Sequence, residues 1–492
     1  MESCDKEVIK IKPRKESSSS DSSISTTSSF SSVQIEEDTF LIKKISRTKT
    51  ENGNLKPRKL SNEEFEIILT EKEREKINEK KMERLNENKK IKKTCSQKIF
   101  ECFKCKTKNS ENEIENKLIE DQNKSIEEII MSKGFKCEKH IIKTEDGYIL
   151  ILFRIPGGKN CENGSKLPPV LLQHGIFDSS DGWVCNGEEH SLAFVLANHN
   201  FDVWLSNSRG NKYCKNHDTF EENSFEFWQF SFHDLGIFDI PAVIKYIRKI
   251  NESGEKLIYF GHSQGATLML SGLVEKLEFF KENIKLFVAL APVARLNNIG
   301  STLLNILCKI NVHKFMEKIK VYEICPHTER TNKLMNFMNN HANGLVNFFL
   351  GLISDSNSNK CNDKNSLSVY LTHYPCGTSL KCLIHFIQIM KAKKFIYFDY
   401  KNNSNFEIYH QNTPPEYDLS KIKELPIIII TGEKDKLANP NDVRWLFNEL
   451  KSNVKYFNIV PNMGHLSFLC GKNFSWFNEP LDIIMEEFYP KN

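Results

Sequence analysis

The stretch LIYFGHSQGATLML, residues 257–270, decides the fold class. It begins with a short apolar run typical of a buried strand, and a helix-like pattern follows the segment Gly-His-Ser-Gln-Gly. Glycines on both sides of Ser263 relieve the crowding of a tight strand-to-helix turn, in which a serine hydroxyl projects above the sheet. Such a serine is either part of a plain turn or a catalytic nucleophile, and the flanking strand and helix favour the nucleophile.

Strand-like and helix-like segments alternate on both sides of this turn. Continuous apolar runs predict strands within residues 147–156, 168–175, 201–210, 256–263, 286–294, 425–435 and 454–465. Helical patterns lie between them at residues 191–200, 232–250, 264–277 and 439–451. This alternation predicts an α/β fold with a mostly parallel, doubly wound sheet.

The alternation is interrupted in one long segment, which sets the predicted domain organisation. Residues 297–410 are helix-rich and carry apolar patches, so we expect an inserted helical cap or lid. The core of the fold is then expected in two parts, residues 121–296 and 411–492. Residues 1–120 are expected to form a disordered, charged extension, because residues 17–32 contain 11 serines and cannot form a core.

The extension carries the whole net charge of the chain. Residues 1–120 hold 27 basic and 23 acidic residues, a difference of +4, which equals the net charge of the full chain. The remainder is neutral, which argues against a nucleic-acid partner. Residues 61–90 predict a charged helix. Residues 89–108 are basic and include Cys95, Cys102 and Cys105, so they are either a solvated linker or a membrane-docking segment.

Targeting signals are sparse in this sequence. The first 30 residues lack an apolar segment, and no window of about 18 uninterrupted apolar residues occurs, so neither a signal peptide nor a transmembrane helix is predicted. The 14 cysteines show no repeated spacing and are interpreted as mostly reduced thiols. We therefore expect an intracellular protein, cytoplasmic or peripheral on a membrane or lipid droplet.

A nucleophilic serine needs a base and an acid that orients the base. In this fold they follow the serine in the order acid, then histidine, each after a late strand. Asp435 lies just past a buried strand, with Glu433 and Asp442 as competitors, and His465 lies in the loop after the last strand. His262 is adjacent to the serine, so its side chain must point elsewhere and is predicted to pack.

The developing oxyanion needs two backbone N–H donors. The residue after the nucleophile, Gln264, supplies one. The second is expected from the loop that follows the strand at residues 168–175, where Ile176 is the first candidate and Phe177 the second. A plain turn at Gly175 is the alternative for this loop. The chemistry needs no cofactor and no metal ion.

Residues from about 122 to the C terminus resemble the acid lipase family, which includes gastric and lysosomal acid lipases and fungal steryl ester hydrolases. The resemblance is carried by collinear motifs: EDGYILILFRIP, LLQHGIFDSSDGWV, SLAFVLA, FDVWLSNSRGN, FEFWQFSFHDLGIFDIPAVI, GHSQGATLML, ALAPVA, YLTHYPCGTS, PPEYDLSKI, GEKDKLANPNDV and NMGHLSF. It implies an α/β-hydrolase with a helical cap that acts on neutral lipid esters. It also implies that Ser263 is the nucleophile, Asp435 the acid and His465 the base, with Ile176 and Gln264 as oxyanion donors.

The sequence departs from the family pattern at two places. The family's final motif reads His-Leu-Asp, whereas Ser467 stands at the third position here, so altered support for His465 is expected. Secreted members carry a signal peptide and a cap disulfide. Here Cys325 lies in the matching region, but no second cysteine follows until Cys361.

The function predicted from these observations is a serine-dependent lipase or sterol esterase that works through an acyl-enzyme. Its expected partners are a neutral lipid ester substrate and the surface of a lipid droplet or membrane. Two alternatives remain: an acyltransferase on the same triad, in which an alcohol replaces water, and a non-catalytic lipid-binding protein.

Overall fold

A computed structural model describes residues 120–489, apart from 310–315, 317, 332, 334 and 336–360, together with four short strands before residue 57. The chain divides into two units, Met1–Lys108 and Asn109–Asn492.

The first unit contains two antiparallel pairs of strands. β1 (Phe30–Ile35) pairs with β2 (Asp38–Lys43), and β3 (Thr48–Lys49) pairs with β4 (Leu55–Lys56). These strands lie within the extension that the sequence predicts to be disordered, and β1 overlaps the end of its serine-rich segment. The predicted helix at 61–90 and the cysteine-bearing stretch at 89–108 lie outside the described residues.

The second unit is built on one nine-stranded sheet. The strands are β5 (Glu138–Lys143), β6 (Tyr148–Pro156), β7 (Pro169–Gln173), β8 (Asp202–Leu205), β9 (Asn216–His217), β10 (Leu257–His262), β11 (Ile284–Leu290), β14 (Ile427–Gly432) and β15 (Val454–Val460). The main path of the sheet runs in the order β15-β14-β11-β10-β7-β8-β6-β5, and β9 pairs with β6. All neighbours from β15 to β8 are parallel, whereas β5, β6 and β9 pair antiparallel.

Helices connect these strands and cover the sheet. The α-helices are α1 (Ile126–Ser132), α2 (Gly187–His190), α3 (Leu192–Asn198), α4 (Phe232–Asp234), α5 (Ile240–Ile250), α6 (Gln264–Glu275), α7 (Leu277–Asn283), α8 (Thr302–Lys309), α9 (Lys364–His373), α10 (Leu380–Ala392), α11 (Asn402–Tyr409), α12 (Pro440–Glu449), α13 (Ser467–Cys470) and α14 (Asn478–Phe488). A π-helical turn, Leu235–Asp239, joins α4 to α5. Short 3-10 helices lie at Asp121–Asn123, Gly164–Lys166, Ser180–Trp183, Glu226–Trp228, Leu419–Lys421 and Ser475–Phe477.

The core strands are buried from both sides, as their sequences indicate. Every residue of β7, β10 and β14 is buried, which is why these strands read as continuous apolar runs rather than alternating ones. The predicted α/β fold class with a mostly parallel sheet is confirmed. The sequence does not predict edge strand β5, because its residues EKHIIK contain neither an apolar run longer than two residues nor a regular alternation.

The chain between β11 and β14 forms the region predicted as a cap. It contains α8, a two-residue strand pair, β12 (Glu323–Ile324) with β13 (Thr378–Ser379), and then α9, α10 and α11. The boundaries 297–410 stay a prediction. Among the helices of the described residues, none combines the length and apolar character needed to cross a membrane.

The parallel strands place four loops at one edge of the sheet. The loops after β7, β10, β14 and β15 all leave from carboxyl ends, which lie together in a parallel sheet and are the usual location of its functional site. These loops contain the residues that the sequence singles out: Ile176, Ser263, Asp435 and His465.

Candidate active site

Ser263 lies in a strained turn between β10 and α6. Its backbone has φ 54° and ψ −116°, a conformation that L-residues rarely adopt. Its N–H donates to the Leu290 carbonyl (3.0 Å), and the Tyr259 hydroxyl donates to the Gly265 carbonyl (2.8 Å). These bonds hold both sides of the turn and offset the cost of the strained residue.

The flanking glycines are required by close backbone contacts. A Cβ on Gly261 would lie 2.6 Å from the Ala266 nitrogen, inside the first turn of α6. A Cβ on Gly265 would overlap the Gln173 carbonyl oxygen at the end of β7 and lie 2.9 Å from that of His174. The Gly-x-Ser-x-Gly pattern is therefore a packing requirement here, in which α6 starts against the loop that follows β7.

Asp435 and His465 form a buried hydrogen-bonded pair. His465 Nδ1 lies 2.8 Å from Asp435 Oδ2, and the two residues are 4% and 3% exposed. The other carboxylate oxygen, Oδ1, accepts the backbone N–H groups of Leu437 and Ala438, both at 2.8 Å. The carboxylate is thereby fixed, and it holds the His465 ring through Nδ1.

The competing carboxylates have other partners. Glu433 is exposed, accepts the Asn462 N–H (3.1 Å) and pairs with Lys434. Asp442 binds the side chain of Arg295 (3.2 Å) and the backbone N–H of Asn298 (2.8 Å). Of the three acids considered from the sequence, Asp435 is the one that the structure brings to His465.

Two backbone N–H groups remain available at the carboxyl edge. In the part of the chain that the structure describes, neither Gln264 N–H nor Ile176 N–H has a hydrogen-bond partner. The Gly175 backbone lies against Ser263, since a Cβ there would be 3.1 Å from Ser263 Cβ. Phe177, the second candidate, has φ 61°, and its carbonyl accepts the Cys376 N–H (2.7 Å).

His174 fixes the peptide that carries the Ile176 N–H. Its Nε2 accepts the Ser208 N–H (3.1 Å), so Nδ1 carries the hydrogen and donates to the Gly175 carbonyl (2.7 Å). Burial lowers the pKa of His174 to about 4, so the ring is neutral over most of the pH range. The Gly175–Ile176 peptide is planar, so holding its oxygen also orients its N–H.

A buried polar network lies directly beyond this loop. Asp178 accepts the Ser179 N–H (2.8 Å) and the Tyr370 hydroxyl (3.2 Å), and burial raises its pKa to about 7. Asp181 binds Lys212 (2.6 Å) and His373 (2.8 Å); despite its burial, these partners hold its pKa well below the usual range. The network ties the loop after β7 to α9, and no motif in the sequence predicts it.

Ser467 supports the His465 loop. Its hydroxyl accepts the Gly464 N–H (3.0 Å) and donates to Asn362 Oδ1 (2.7 Å). Ser467 thus contributes a pair of hydrogen bonds from a neutral side chain, and the altered support expected from the family pattern stays a prediction. Asn362 precedes α9, so the loop is tied to the segment inserted between β11 and β14.

No metal-binding constellation is found in the described ranges, where no group of three or more His, Cys, Asp or Glu could hold an ion. The expected independence from metals and cofactors stays a prediction. Cys325, in the region predicted as a cap, is a free thiol.

Comparisons with known proteins match this architecture. A model described as the partial alpha/beta-hydrolase lipase region matches residues 126–187, and an alpha/beta hydrolase fold model matches residues 168–471. The chain is 35% identical over 374 residues to human lipase member K, covering 74% of this chain and 92% of that protein. This chain belongs to the acid lipase family of α/β-hydrolases.

Two further members of the acid lipase family illustrate the relationship. Rat gastric triacylglycerol lipase is 35% identical over 382 residues, with 74% of this chain and 92% of that protein covered. Human lysosomal acid lipase/cholesteryl ester hydrolase is 34% identical over 362 residues, with 72% and 88% covered. The family and the lipase class of hydrolase predicted from the sequence are confirmed.

Proposed function

We propose that this acid lipase hydrolyses neutral lipid esters, triacylglycerols or steryl esters, with Ser263 as the nucleophile. The observation that carries the proposal is the strained Ser263 turn beside a buried Asp435–His465 pair. Two relatives, a gastric triacylglycerol lipase and a lysosomal acid lipase/cholesteryl ester hydrolase, support the substrate class.

The mechanism follows from the positions of the hydrogen atoms. Asp435 holds the Nδ1–H of His465, so Nε2 takes the proton from Ser263 Oγ as the oxygen attacks the ester carbonyl. Gln264 and Ile176 N–H groups stabilise the oxyanion. His465 returns the proton to the leaving alcohol, and water then hydrolyses the acyl-enzyme by the same proton route.

The loop after β7 carries Ile176 and is called the oxyanion loop below. An apolar cluster beside this loop is a suitable wall for an acyl chain. Ile324, Leu380 and Ile384 are buried together, and Phe177 and Phe398 pack against them. Because the cluster reaches Phe177, the residue after the proposed donor Ile176, we assign the cluster to the acyl chain.

The segment 391–408 supports contact with a lipid surface. It carries four lysines and two acidic residues, and it exposes Tyr400, Phe406 and Ile408 by 37%, 57% and 50%. Cations and exposed apolar side chains together favour an anionic lipid surface. The intracellular location predicted from the sequence stays a prediction, and fractionation of cells expressing the full chain tests it.

The test of the proposed function is a panel of substrates: triolein, cholesteryl oleate and p-nitrophenyl butyrate, with product analysis. The purified chain is expected to release fatty acid from at least one of the long-chain esters, and Ser263→Ala to abolish release from all three. Equal turnover by the variant, or transfer of the acyl group only to alcohol acceptors, would overturn the proposal.

The surface contact has its own test. Phe406→Ser with Ile408→Ser is expected to weaken binding to anionic phospholipid vesicles and hydrolysis of emulsified triolein, with p-nitrophenyl butyrate turnover unchanged. Ile141→Ser is the control, because Ile141 is 64% exposed on edge strand β5. Equal vesicle binding by all three proteins would contradict the assigned surface.

A further inference from the structure

His262 contacts three segments. They are the turn between β10 and α6 that contains Ser263, called the nucleophile turn, the loop after β15 that contains His465, and the oxyanion loop. It is the residue before Ser263, it is 3% exposed, and its Nε2 lies 3.0 Å from the His465 carbonyl oxygen. The two imidazole rings lie 4.9 Å apart between centroids. The sequence predicts only that this side chain packs, because adjacency to the serine rules it out as the base.

The same ring also borders the oxyanion loop. A Cβ on Gly175 would lie 3.4 Å from His262 Nδ1. Trp183, in the 3-10 helix that follows that loop, lies edge-on to the ring at 6.4 Å between centroids. One buried side chain thus separates the two loops and keeps each at a fixed distance from the nucleophile turn.

The hydrogen bond fixes the tautomer of His262. A carbonyl oxygen can only accept, so Nε2 carries the hydrogen, and Nδ1 has no partner in the described part of the chain. Burial lowers the pKa of His262 to about 3, with a smaller contribution from His465. The ring therefore stays neutral and keeps its Nε2–H bond across the working range of an ester hydrolase.

We propose that His262 is a positioning residue that sets the distance between the nucleophile and the base. Asp435 holds the His465 ring at Nδ1, but the ring can reach Ser263 only if the backbone of residue 465 is itself in place. The bond from His262 supplies that constraint by a short path, because His262 is covalently attached to Ser263. The proposal rests on the proposed function.

The test compares His262→Phe with His262→Gln. Phenylalanine keeps the planar ring and removes the donor, whereas glutamine keeps a donor at a similar reach. His385→Phe is a matched control, because His385 is fully buried, donates from Nε2 to the Ile396 carbonyl (2.9 Å) and also has an unpartnered Nδ1. The readouts are kcat and KM for p-nitrophenyl butyrate, the rate of fluorophosphonate labelling, and the thermal midpoint.

For His262→Phe, kcat is expected to fall by about 10- to 100-fold with KM changed by less than about twofold, because misplacement of a catalytic group acts on the transition state. The labelling rate should fall in parallel, and His262→Gln should recover kcat to within about threefold of wild type. His385→Phe should lower the thermal midpoint comparably and leave kcat unchanged.

Two results would overturn the positioning role: wild-type kcat in folded His262→Phe, or an equal loss of kcat in His262→Phe and His385→Phe. If His262→Phe is not recovered folded, His262→Gln is compared with His262→Asn instead. The asparagine side chain is too short for its amide to reach the His465 carbonyl. Equal kcat for those two variants would again refute the role. Failure of the wild-type chain to be labelled at Ser263 would instead refute the proposed function.

Discussion

Gly265 is the residue through which α6 touches the oxyanion loop, so Gly265→Ala perturbs the proposed catalytic geometry with a single methyl group. The added Cβ would overlap the Gln173 carbonyl oxygen and lie 2.9 Å from that of His174. Ordinary carbon contacts begin near ~3.5 Å, so the start of α6 and the end of β7 must separate by about 0.5 Å or more.

Two opposing effects decide the stability of this variant. Alanine is favoured over glycine in a helix interior by ~1 kcal/mol. Overpacking a tight core contact costs ~1–3 kcal/mol, and backbone atoms such as the Gln173 carbonyl cannot rotate away as a flexible side chain would. The difference between these two effects is a net loss of up to about 2 kcal/mol in the free energy of unfolding.

The effect on activity is expected to exceed the effect on stability. The Gln264 N–H belongs to α6 and the Ile176 N–H to the loop after β7, so the forced separation pulls the two donors apart. Loss of one oxyanion donor costs about 10²–10³ in kcat, so a partial displacement should cost about 10- to 100-fold. The assay is kcat for p-nitrophenyl butyrate, with thermal unfolding measured on the same preparation.

Gly158→Ala is the control for this prediction. A Cβ on Gly158 would lie 3.4 Å from the nearest atom, the Ala197 carbonyl oxygen, which is ordinary contact. It should unfold and turn over like the wild type. If Gly265→Ala keeps wild-type kcat and stability, the close approach of α6 to the oxyanion loop is wrong, and so is the placement of the two donors.

Three further predictions concern residues around the triad. Burial raises the pKa of Asp178 to about 7 from about 4 in the unfolded chain, so its contribution to stability is full below pH ~4 and is lost as the pH rises to ~7. Asp178→Asn should therefore match the wild type near pH 4 and unfold at a higher temperature above pH 7. Parallel pH profiles of the thermal midpoint for the two proteins would contradict this. Ser467→Ala removes the hydrogen bonds to the Gly464 N–H and to Asn362. The free energy of unfolding measured in urea should fall by ~1–2 kcal/mol, and kcat should fall by about two- to fivefold. Unchanged values would show that the His465 loop does not need this support. Asp435→Asn should lower kcat by about 10⁴-fold while Glu433→Gln leaves it unchanged, and the reverse result in ester turnover would move the acid to Glu433.

The proposed triad could be assembled from the sequence because its three residues lie just after recognisable strands. In a parallel sheet, the ends of β10, β14 and β15 must meet at one edge, so chain order alone brings Ser263, Asp435 and His465 together. The sequence favours Asp435 over Asp442 because Asp435 lies just past β14 and matches the family motif, and in the structure Asp435 binds His465 whereas Asp442 binds Arg295.

Other features depend on contacts that no local pattern reveals. Asp178 meets Tyr370, and Asp181 meets His373, each across 192 residues of sequence. His262 meets His465 across 203 residues. No periodicity or spacing in a single sequence encodes the two aspartate pairs, since they depend on how the segment between β11 and β14 folds back onto the core. Chain order brings His262 and His465 to the same edge of the sheet, but it does not show that the His262 ring donates to the His465 carbonyl.

Covalent labelling of the full chain by a fluorophosphonate, mapped by peptide mass spectrometry, tests the central claim most directly. The probe reacts with a serine only when a base removes its proton and the oxyanion is stabilised. The account predicts a single stoichiometric adduct on Ser263, absent in Ser263→Ala. No adduct, or an adduct on a different residue of the folded wild-type chain, would contradict it.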